Sequence, residues 1–178
     1  AKNVLAQLDK YYPGASKYEI AGFFFWQGDK DRYNAAHAAR YEQNLVHFIK
    51  QLRKDFNAPK AKFVCATLGQ TDKKDAKGNE KLILEAQLNV DGNAGVYKEF
   101  KGNVGTVYSK PYCHGGASNG HYNRNAKAYM DVGLAMGDEM VDLAGAFDEA
   151  FGLSGEEWTP GQSGGDDGGD EDAADRRE

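Results

Sequence analysis

Two short polar segments, far apart in the sequence, hold the side chains best suited to chemistry. The first, Trp26–Asp31, reads Trp-Gln-Gly-Asp-Lys-Asp, and the second, Gly120–Asn123, reads Gly-His-Tyr-Asn. In acyl transfer, an imidazole that is oriented by a carboxylate takes the proton from a hydroxyl nucleophile. We therefore predict that His121 is a general base and that Asp29 orients its ring and stabilises the imidazolium.

The first segment also offers hydrogen-bond donors for a developing oxyanion. The side-chain amide of Gln27 and the backbone N–H of Gly28 are donors of the kind that stabilise a tetrahedral intermediate. Asp31 is the substitute for the orienting acid. Purely structural roles compete with each assignment: a histidine before a helix often caps or packs, carboxylates favour the positive end of a helix dipole, and a glutamine at a strand end satisfies backbone groups.

Alternating strand-like and helix-like patterns must position these two segments. Short stretches rich in apolar and aromatic residues predict buried strands over Tyr18–Trp26, Lys62–Leu68 and Asn103–Tyr108. Apolar residues spaced three or four apart predict helices over Ala1–Tyr12, Asn34–Phe56, Lys81–Val90 and Asn123–Phe151. Asn34 is the expected N-cap of the second helix. Gly133 and Gly137, which lack a Cβ, are expected to bring the last helix close to the sheet.

This order of elements predicts an α/β fold, a three-layer α/β/α sandwich around a mostly parallel sheet. Right-handed crossovers bring the carboxyl ends of parallel strands to one edge, where the ligands of such sheets collect. Both polar segments follow a strand that ends at that edge. Only three strands are evident, whereas open sheets usually have about four to six. We therefore expect the fold to be incomplete at its N-terminus.

Composition and charge limit the function classes. The chain has 178 residues, of which 40% are hydrophobic and 12% aromatic, enough for one packed domain. Nine acidic residues and two arginines lie between Glu156 and Glu178, whereas the other 155 residues carry 20 basic and 18 acidic groups. We expect a folded domain over 1–153 and a disordered acidic tail over 154–178. The nearly neutral body argues against a nucleic-acid partner, and the longest apolar run, Ile20–Trp26, is too short to span a bilayer.

Neither metal nor thiol chemistry is predicted. The four histidines and two cysteines match no His-Glu-x-x-His or Cys-x-x-Cys pattern. Cys65 lies in an apolar run typical of a buried free thiol. A disulfide to Cys113 requires the two strand ends to converge, and spacing alone leaves that open. The stretch Gly69–Asp72 (Gly-Gln-Thr-Asp) contains a hydroxyl, but it opens a lysine-rich loop rather than the sharp turn that a nucleophile needs.

Several stretches together resemble one enzyme family. They are Gly22–Asp31 (GFFFWQGDKD), Tyr41–Phe56 with Pro59–Gly69, and His121–Met140. In this order they look like the later half of the SGNH-type sialate O-acetylesterases and the carbohydrate esterases of family six, and the likeness covers about residues 1–150. The resemblance implies a three-layer α/β/α serine esterase that removes acetyl groups from carbohydrates and needs no metal or other cofactor.

The resemblance also implies roles for the polar residues. Gln27 and Gly28 match the oxyanion segment of the family. Asp29 matches the acid of the family's Gln-Gly-Glu motif, and His121 matches its catalytic histidine. Many relatives have an aspartate three residues before that histidine, where this chain has Ser118, so the orienting role falls to Asp29.

The family's nucleophile has no counterpart in this sequence. It lies in a Gly-Gln-Ser-Asn segment after the family's first strand, and nothing like it occurs here. We therefore expect an acyl-serine mechanism whose serine lies upstream of Ala1, and a 178-residue chain that is inactive alone. The alternative is a non-catalytic carbohydrate-binding or interaction protein on the same fold. Secretion or a periplasmic location is implied only by the family.

Overall fold

The protein is described by a computed structural model that covers residues 1–114 and 121–151. Helices and strands alternate along these residues. In chain order they are α1 (Lys2–Leu5), α2 (Leu8–Tyr11), β1 (Gly22–Phe25), α3 (Ala35–Asp55), β2 (Lys62–Ala66), α4 (Gly78–Asn89), β3 (Val104–Val107) and α5 (Ala126–Phe151).

The three strands form one parallel sheet in the order β1-β2-β3. Phe23 of β1 pairs with Phe63 of β2, which in turn pairs with Val104 of β3, so all three carboxyl ends lie at the same edge. Every residue of the central strand β2 is buried, as expected for a parallel strand that is covered on both faces. Its one charged residue, Lys62, donates from Nζ to the carbonyl of Gly102 at 2.9 Å.

Helices α3 and α4 cover one face of the sheet. The predicted cap of α3 is confirmed: the Asn34 side chain accepts hydrogen bonds from the N–H groups of Ala36 and His37, at 2.9 and 3.1 Å, which otherwise have no partner within the helix. Alternate residues of β2 point to this face and join α3 and α4 in one core. That core includes Tyr41, Leu45, Ile49, Phe63, Cys65, Ile83 and Phe100.

Helix α5 covers the opposite face. The remaining β2 residues Val64 and Ala66 pack against Val132, Met136 and Leu143 of α5. Because the side chains of a strand alternate between its two faces, β2 lies between two apolar cores and the sheet lies between two helical layers. The predicted three-layer α/β/α fold with a parallel sheet is therefore confirmed.

The first strand differs from its prediction in length and burial. It spans Gly22–Phe25 rather than Tyr18–Trp26, and Phe24 is 58% exposed although the aromatic run predicts a buried strand. Phe23 and Phe25 pack against the core formed with α3. Phe24 points to the other face, where α5 packs chiefly over β2 and β3. An edge strand beyond the covering helix therefore exposes one of its faces.

Three helix predictions are also wrong in detail, and one of them is α4, which spans Gly78–Asn89 rather than Lys81–Val90. The helix predicted over Ala1–Tyr12 is the pair of short helices α1 and α2, and the last helix begins at Ala126 rather than at Asn123. Gly133 and Gly137 do not bring α5 close to the sheet, because a Cβ at either would meet no atom within 4 Å beyond its own helix.

Both cysteines are free thiols. Among the described residues, no helix combines the length and the apolar character needed to cross a lipid bilayer. The acidic tail predicted over 154–178 lies outside the described residues, and so do positions 115–120 of the Gly-rich loop.

Candidate active site

A cavity of about 330 Å³ lies at the carboxyl edge of the sheet. Both polar segments that were predicted to meet there contribute to its walls. The lining residues are Trp26, Gln27, Gly28, Asp29, Lys30, Leu68, His121, Tyr122 and Tyr129. The structure thus brings the predicted acid, base and oxyanion donors to one cavity.

Hydrogen bonds to two neighbouring elements hold the segment after β1, which we call the acidic turn (26–31). The indole of Trp26 donates from Nε1 to the carbonyl of Thr67, at the end of β2, at 3.0 Å. The carbonyl of Gln27 accepts from the phenol of Tyr41 on α3 at 2.6 Å and from the amide of Gln87 on α4 at 2.9 Å. The acidic turn is therefore fixed relative to both helices and to the central strand.

Gln87 was not predicted as a site residue. It is fully buried, its Oε1 accepts from the N–H of Leu68 at 3.1 Å, and its Nε2 donates to Tyr41 Oη at 3.1 Å. Burial raises the pKa of Tyr41, so its phenol stays protonated and remains a donor. The sequence did carry a signal, since a glutamine between Ile83 and Val90 on a buried helix face must find a partner.

Gly28 has a backbone that only glycine accepts readily. Its φ is +141°, and a Cβ there would lie 2.9 Å from Tyr41 Oη and 3.2 Å from Ile83 Cγ2. Its carbonyl accepts from the N–H of Asp31 at 3.1 Å. Its own N–H donates to no residue in the described part of the chain, and Gly28 lines the cavity.

The two carboxylates of the acidic turn have different surroundings. Asp29 lines the cavity, and its Oδ1 accepts from Arg32 Nε at 2.8 Å and from Gln70 Nε2. Within the described residues its Oδ2 has no hydrogen-bond partner. Asp31 accepts at Oδ2 from the side-chain amide of Gln27 at 3.0 Å and lines a separate cavity of about 260 Å³ beside α3. Only Asp29 therefore shares the cavity with the histidine.

His121 begins a left-handed turn, the histidine turn (121–124). Four consecutive non-glycine residues have positive φ, from 50° at His121 to 57° at Arg124, a conformation that costs roughly 1–2 kcal/mol per residue. Such a backbone persists only where its surroundings fix it. Tyr129 Oη donates to the His121 carbonyl at 3.3 Å, and the Tyr122 ring stacks on Trp26.

Tyr122 joins the histidine turn to the loop after β2. Its Oη accepts from the N–H of Gly69 at 3.2 Å and donates to Gln70 Oε1 at 3.0 Å. Burial raises the pKa of Tyr122 to about 12, so the phenol remains a donor at neutral pH. No pattern in the sequence selects Tyr122 or Gln70, because their bonds exist only once the fold brings the two loops together.

His121 and Asp29 line one cavity but are not hydrogen-bonded or ion-paired to each other. Among the described residues no hydrogen bond or ion pair joins their side chains: Asp29 is bound by Arg32 and Gln70, and the His121 side chain is exposed. Catalytic hydrogen bonds are often long or absent until the substrate is bound. The cavity is therefore lined by an imidazole, a carboxylate and the backbone of Gly28.

The alternative nucleophiles in the sequence gain no support. Thr71, the hydroxyl of the Gly-Gln-Thr-Asp stretch, is only 2% exposed, and its Oγ1 has no hydrogen-bond partner among the described residues. Desolvation raises the pKa of the Cys113 thiol, which disfavours the reactive thiolate. The described residues contain no group of three or more side chains arranged to hold a metal ion.

A parallel α/β/α sheet that holds an acid, an imidazole and a backbone donor at its strand ends is a typical setting for ester hydrolysis. The family model for carbohydrate esterases, described as sialic acid-specific acetylesterase, matches residues 3–142. The chain therefore belongs to this carbohydrate esterase family, and the resemblance in its sequence is confirmed. Acetylated carbohydrates are the substrate class that this membership implies. Comparisons with the curated proteins and with the solved structures gave no match.

Proposed function

We propose that this chain supplies the general base, the orienting acid and the oxyanion donors of a carbohydrate O-acetylesterase. His121 is the base, Asp29 is the acid, and Gln27 and Gly28 are the donors. The observation that carries the proposal is the cavity of about 330 Å³ whose walls include all four residues. Acyl transfer requires these groups within reach of one reacting carbon.

Catalysis in this proposal proceeds through an acyl-serine. The His121 ring accepts the proton of the serine hydroxyl as the hydroxyl oxygen attacks the acetyl carbon. The ring then gives that proton to the sugar oxygen as the ester C–O bond breaks, which leaves the acetyl group on the serine. A water molecule, deprotonated by the same ring, hydrolyses the acetyl-enzyme and releases acetate.

The other site residues stabilise the charges that develop during the reaction. Asp29 has one carboxylate oxygen without a partner among the described residues, and this oxygen accepts the ring N–H of His121 and stabilises the imidazolium. The Gly28 N–H donates to the oxyanion, and so does the second amide N–H of Gln27, whose first is bonded to Asp31. One such donor contributes about 3 kcal/mol to transition-state stabilisation.

The cavity walls support a sugar as the substrate. Aromatic rings of Trp26, Tyr122 and Tyr129 form one wall, and Asp29 and Lys30 add charged groups. Pyranose rings present apolar C–H faces, which pack on aromatic rings, and hydroxyl groups, which hydrogen-bond to charged side chains.

The serine belongs, in this proposal, to a segment outside the 178 residues. The test compares the purified chain with the longer gene product that contains it, using 4-nitrophenyl acetate and an O-acetylated sugar. We expect no hydrolysis by the chain alone and acetate release by the longer protein. His121→Ala in the longer protein should lower kcat by about 10³-fold or more, whereas His47→Ala, on the exposed side of α3, should leave it unchanged.

Two results would contradict the proposal. Full activity of the longer His121→Ala protein would show that His121 is not the general base. Hydrolysis by the 178-residue chain that depends on His121 would show that the nucleophile lies within this sequence.

A non-catalytic carbohydrate-binding protein is the second candidate. It is favoured by the engagement of Asp29 with Arg32 and Gln70 rather than with His121. In that case the longer protein would bind O-acetylated sugars, as followed by NMR titration, and would release no acetate from them.

A further inference from the structure

Gln70 lies where three loops meet at the carboxyl edge of the sheet. It follows β2 and is half-buried. Its Oε1 accepts from Tyr122 Oη at 3.0 Å, its Nε2 donates to Asp29 Oδ1, and its carbonyl accepts from Lys110 Nζ at 3.3 Å. One side chain therefore connects the histidine turn with the acidic turn.

The chemistry of this bridge requires an amide. The phenol of Tyr122 needs an acceptor and the carboxylate of Asp29 needs a donor, and an amide side chain offers one of each. A glutamate at position 70 would set a second negative charge against Asp29. A methionine of similar length would make neither bond.

The two hydrogen bonds to Asp29 connect it to different parts of the structure. Arg32 Nε and Gln70 Nε2 both reach Oδ1. Arg32 directly follows the acidic turn in the chain, and its Nη1 is bonded to Glu80 of α4. Arg32 therefore links the Asp29 carboxylate to α4. Among the described residues, Gln70 is the hydrogen-bonded link from Asp29 to the turn that bears His121.

We propose that Gln70 is a positioning residue of the esterase site, which holds Asp29 in place relative to His121 by bridging Asp29 to Tyr122. This inference rests on the proposed function, because the bridge has a catalytic purpose only if Asp29 orients His121. The Gly-Gln-Thr-Asp stretch contributes to the site through its glutamine, not through its hydroxyl.

NMR spectroscopy of the isotopically labelled chain at a fixed pH tests the proposal without requiring catalysis. Asp29→Asn is expected to displace the ring resonances of His121, because it removes a charge from the cavity that both residues line. Gln70→Met is expected to displace the same resonances by at least half as much. The control Gln51→Met removes a bond of the same kind, from Nε2 to Asp55 Oδ1 at 2.9 Å on α3, and is expected to leave them unchanged.

The outcomes separate the two proposals. If Asp29→Asn displaces the His121 resonances and Gln70→Met does not, Gln70 has no positioning role and the proposed function is unaffected. If Asp29→Asn also leaves them in place, the pairing of Asp29 with His121 fails, and the role of Gln70 fails with it.

A second variant covers the case in which Gln70→Met does not fold. Tyr122→Phe keeps the ring and removes the hydroxyl, which donates to Gln70 Oε1, accepts from the N–H of Gly69 and is hydrogen-bonded to Cys113. Its effect is read at the far end of the bridge, on the carboxyl carbon resonance of Asp29, which is expected to move. An unmoved Asp29 resonance in the folded Tyr122→Phe chain overturns the proposal.

Discussion

The indole of Trp26 and the phenol ring of Tyr122 stack with their centroids 5.5 Å apart and their planes 9° from parallel. Trp26 belongs to the acidic turn and Tyr122 follows His121, so the stack joins the two halves of the candidate site. Tyr129 contacts both rings, at centroid distances of 5.5 and 5.8 Å. Aromatic pairs contribute about 0.5–1.5 kcal/mol each beyond simple burial, which helps to hold a left-handed backbone turn in place.

Substitution of Tyr122 separates the contributions of its ring and its hydroxyl. Tyr122→Phe is expected to lower the free energy of unfolding by about 1 kcal/mol, because the Gly69 N–H loses its acceptor. Tyr122→Leu also loses the stack and is expected to cost about 2–3 kcal/mol. Urea unfolding measures both, with Tyr12→Phe, whose side chain is 64% exposed, as the neutral control. If the unmodified chain and the three variants have the same free energy of unfolding, neither the ring nor the hydroxyl of Tyr122 stabilises the fold.

Gly28 tests whether the acidic turn tolerates a side chain. Gly28→Ala sets a Cβ 2.9 Å from Tyr41 Oη at a φ of +141°, and we expect a loss of about 2–4 kcal/mol in the free energy of unfolding. Gly14→Ala is the matched control: its φ is +84°, but its Cβ would meet nothing within 4 Å, so about 1 kcal/mol is expected. If the two variants lose the same free energy of unfolding, the close approach to Tyr41 adds nothing to the cost of a side chain at position 28.

The arrangement of elements could be predicted from the sequence because local patterns determine it. The apolar spacing and the cap Asn34 fix α3, and the apolar run Lys62–Leu68 marks the central strand. Parallel strands then bring their carboxyl ends to one edge, which is why Asp29 and His121 line one cavity. The roles of these two residues remain a prediction.

The features that escaped prediction depend on contacts between distant segments. The exposure of Phe24 follows from where α5 lies over the sheet, which no residue near Phe24 encodes. Residues 121–124 contain no glycine, which is the usual sequence signal of a left-handed backbone. Contacts with Trp26 and Tyr129 fix this turn instead, and the local sequence does not encode them. Gln70 becomes a bridge only after two loops have met.

The two thiols are expected to differ in reactivity. Cys65 is fully buried, and burial raises its pKa to about 12, so it is both inaccessible and protonated at pH 8. Cys113 is only half-buried. Ellman's reagent should therefore titrate one thiol in the native chain and two in urea, and Cys113→Ser should abolish the native reaction. Two reactive thiols in the folded chain would show that the core around Cys65 opens readily.

Tyr129 offers a test of the aromatic wall as a sugar-binding surface. Its ring is 40% exposed at the cavity, and its hydroxyl is bonded to the His121 carbonyl. Tyr129→Leu is expected to weaken the binding of an O-acetylated sialoside or xyloside about 5-fold, because a ring–sugar contact contributes about 1 kcal/mol. Tyr129→Phe keeps the ring and should bind as the unmodified chain does.

Titration calorimetry or NMR measures these affinities, with Tyr18→Leu as the control. Tyr18 is 54% exposed and lies before β1, at the opposite edge of the sheet from the cavity. A loss of affinity in Tyr129→Phe as large as that in Tyr129→Leu would assign the effect to the hydrogen bond that holds the histidine turn. An unchanged affinity in both Tyr129 variants would exclude this ring from the sugar site, and Trp26 would then be the ring to substitute next.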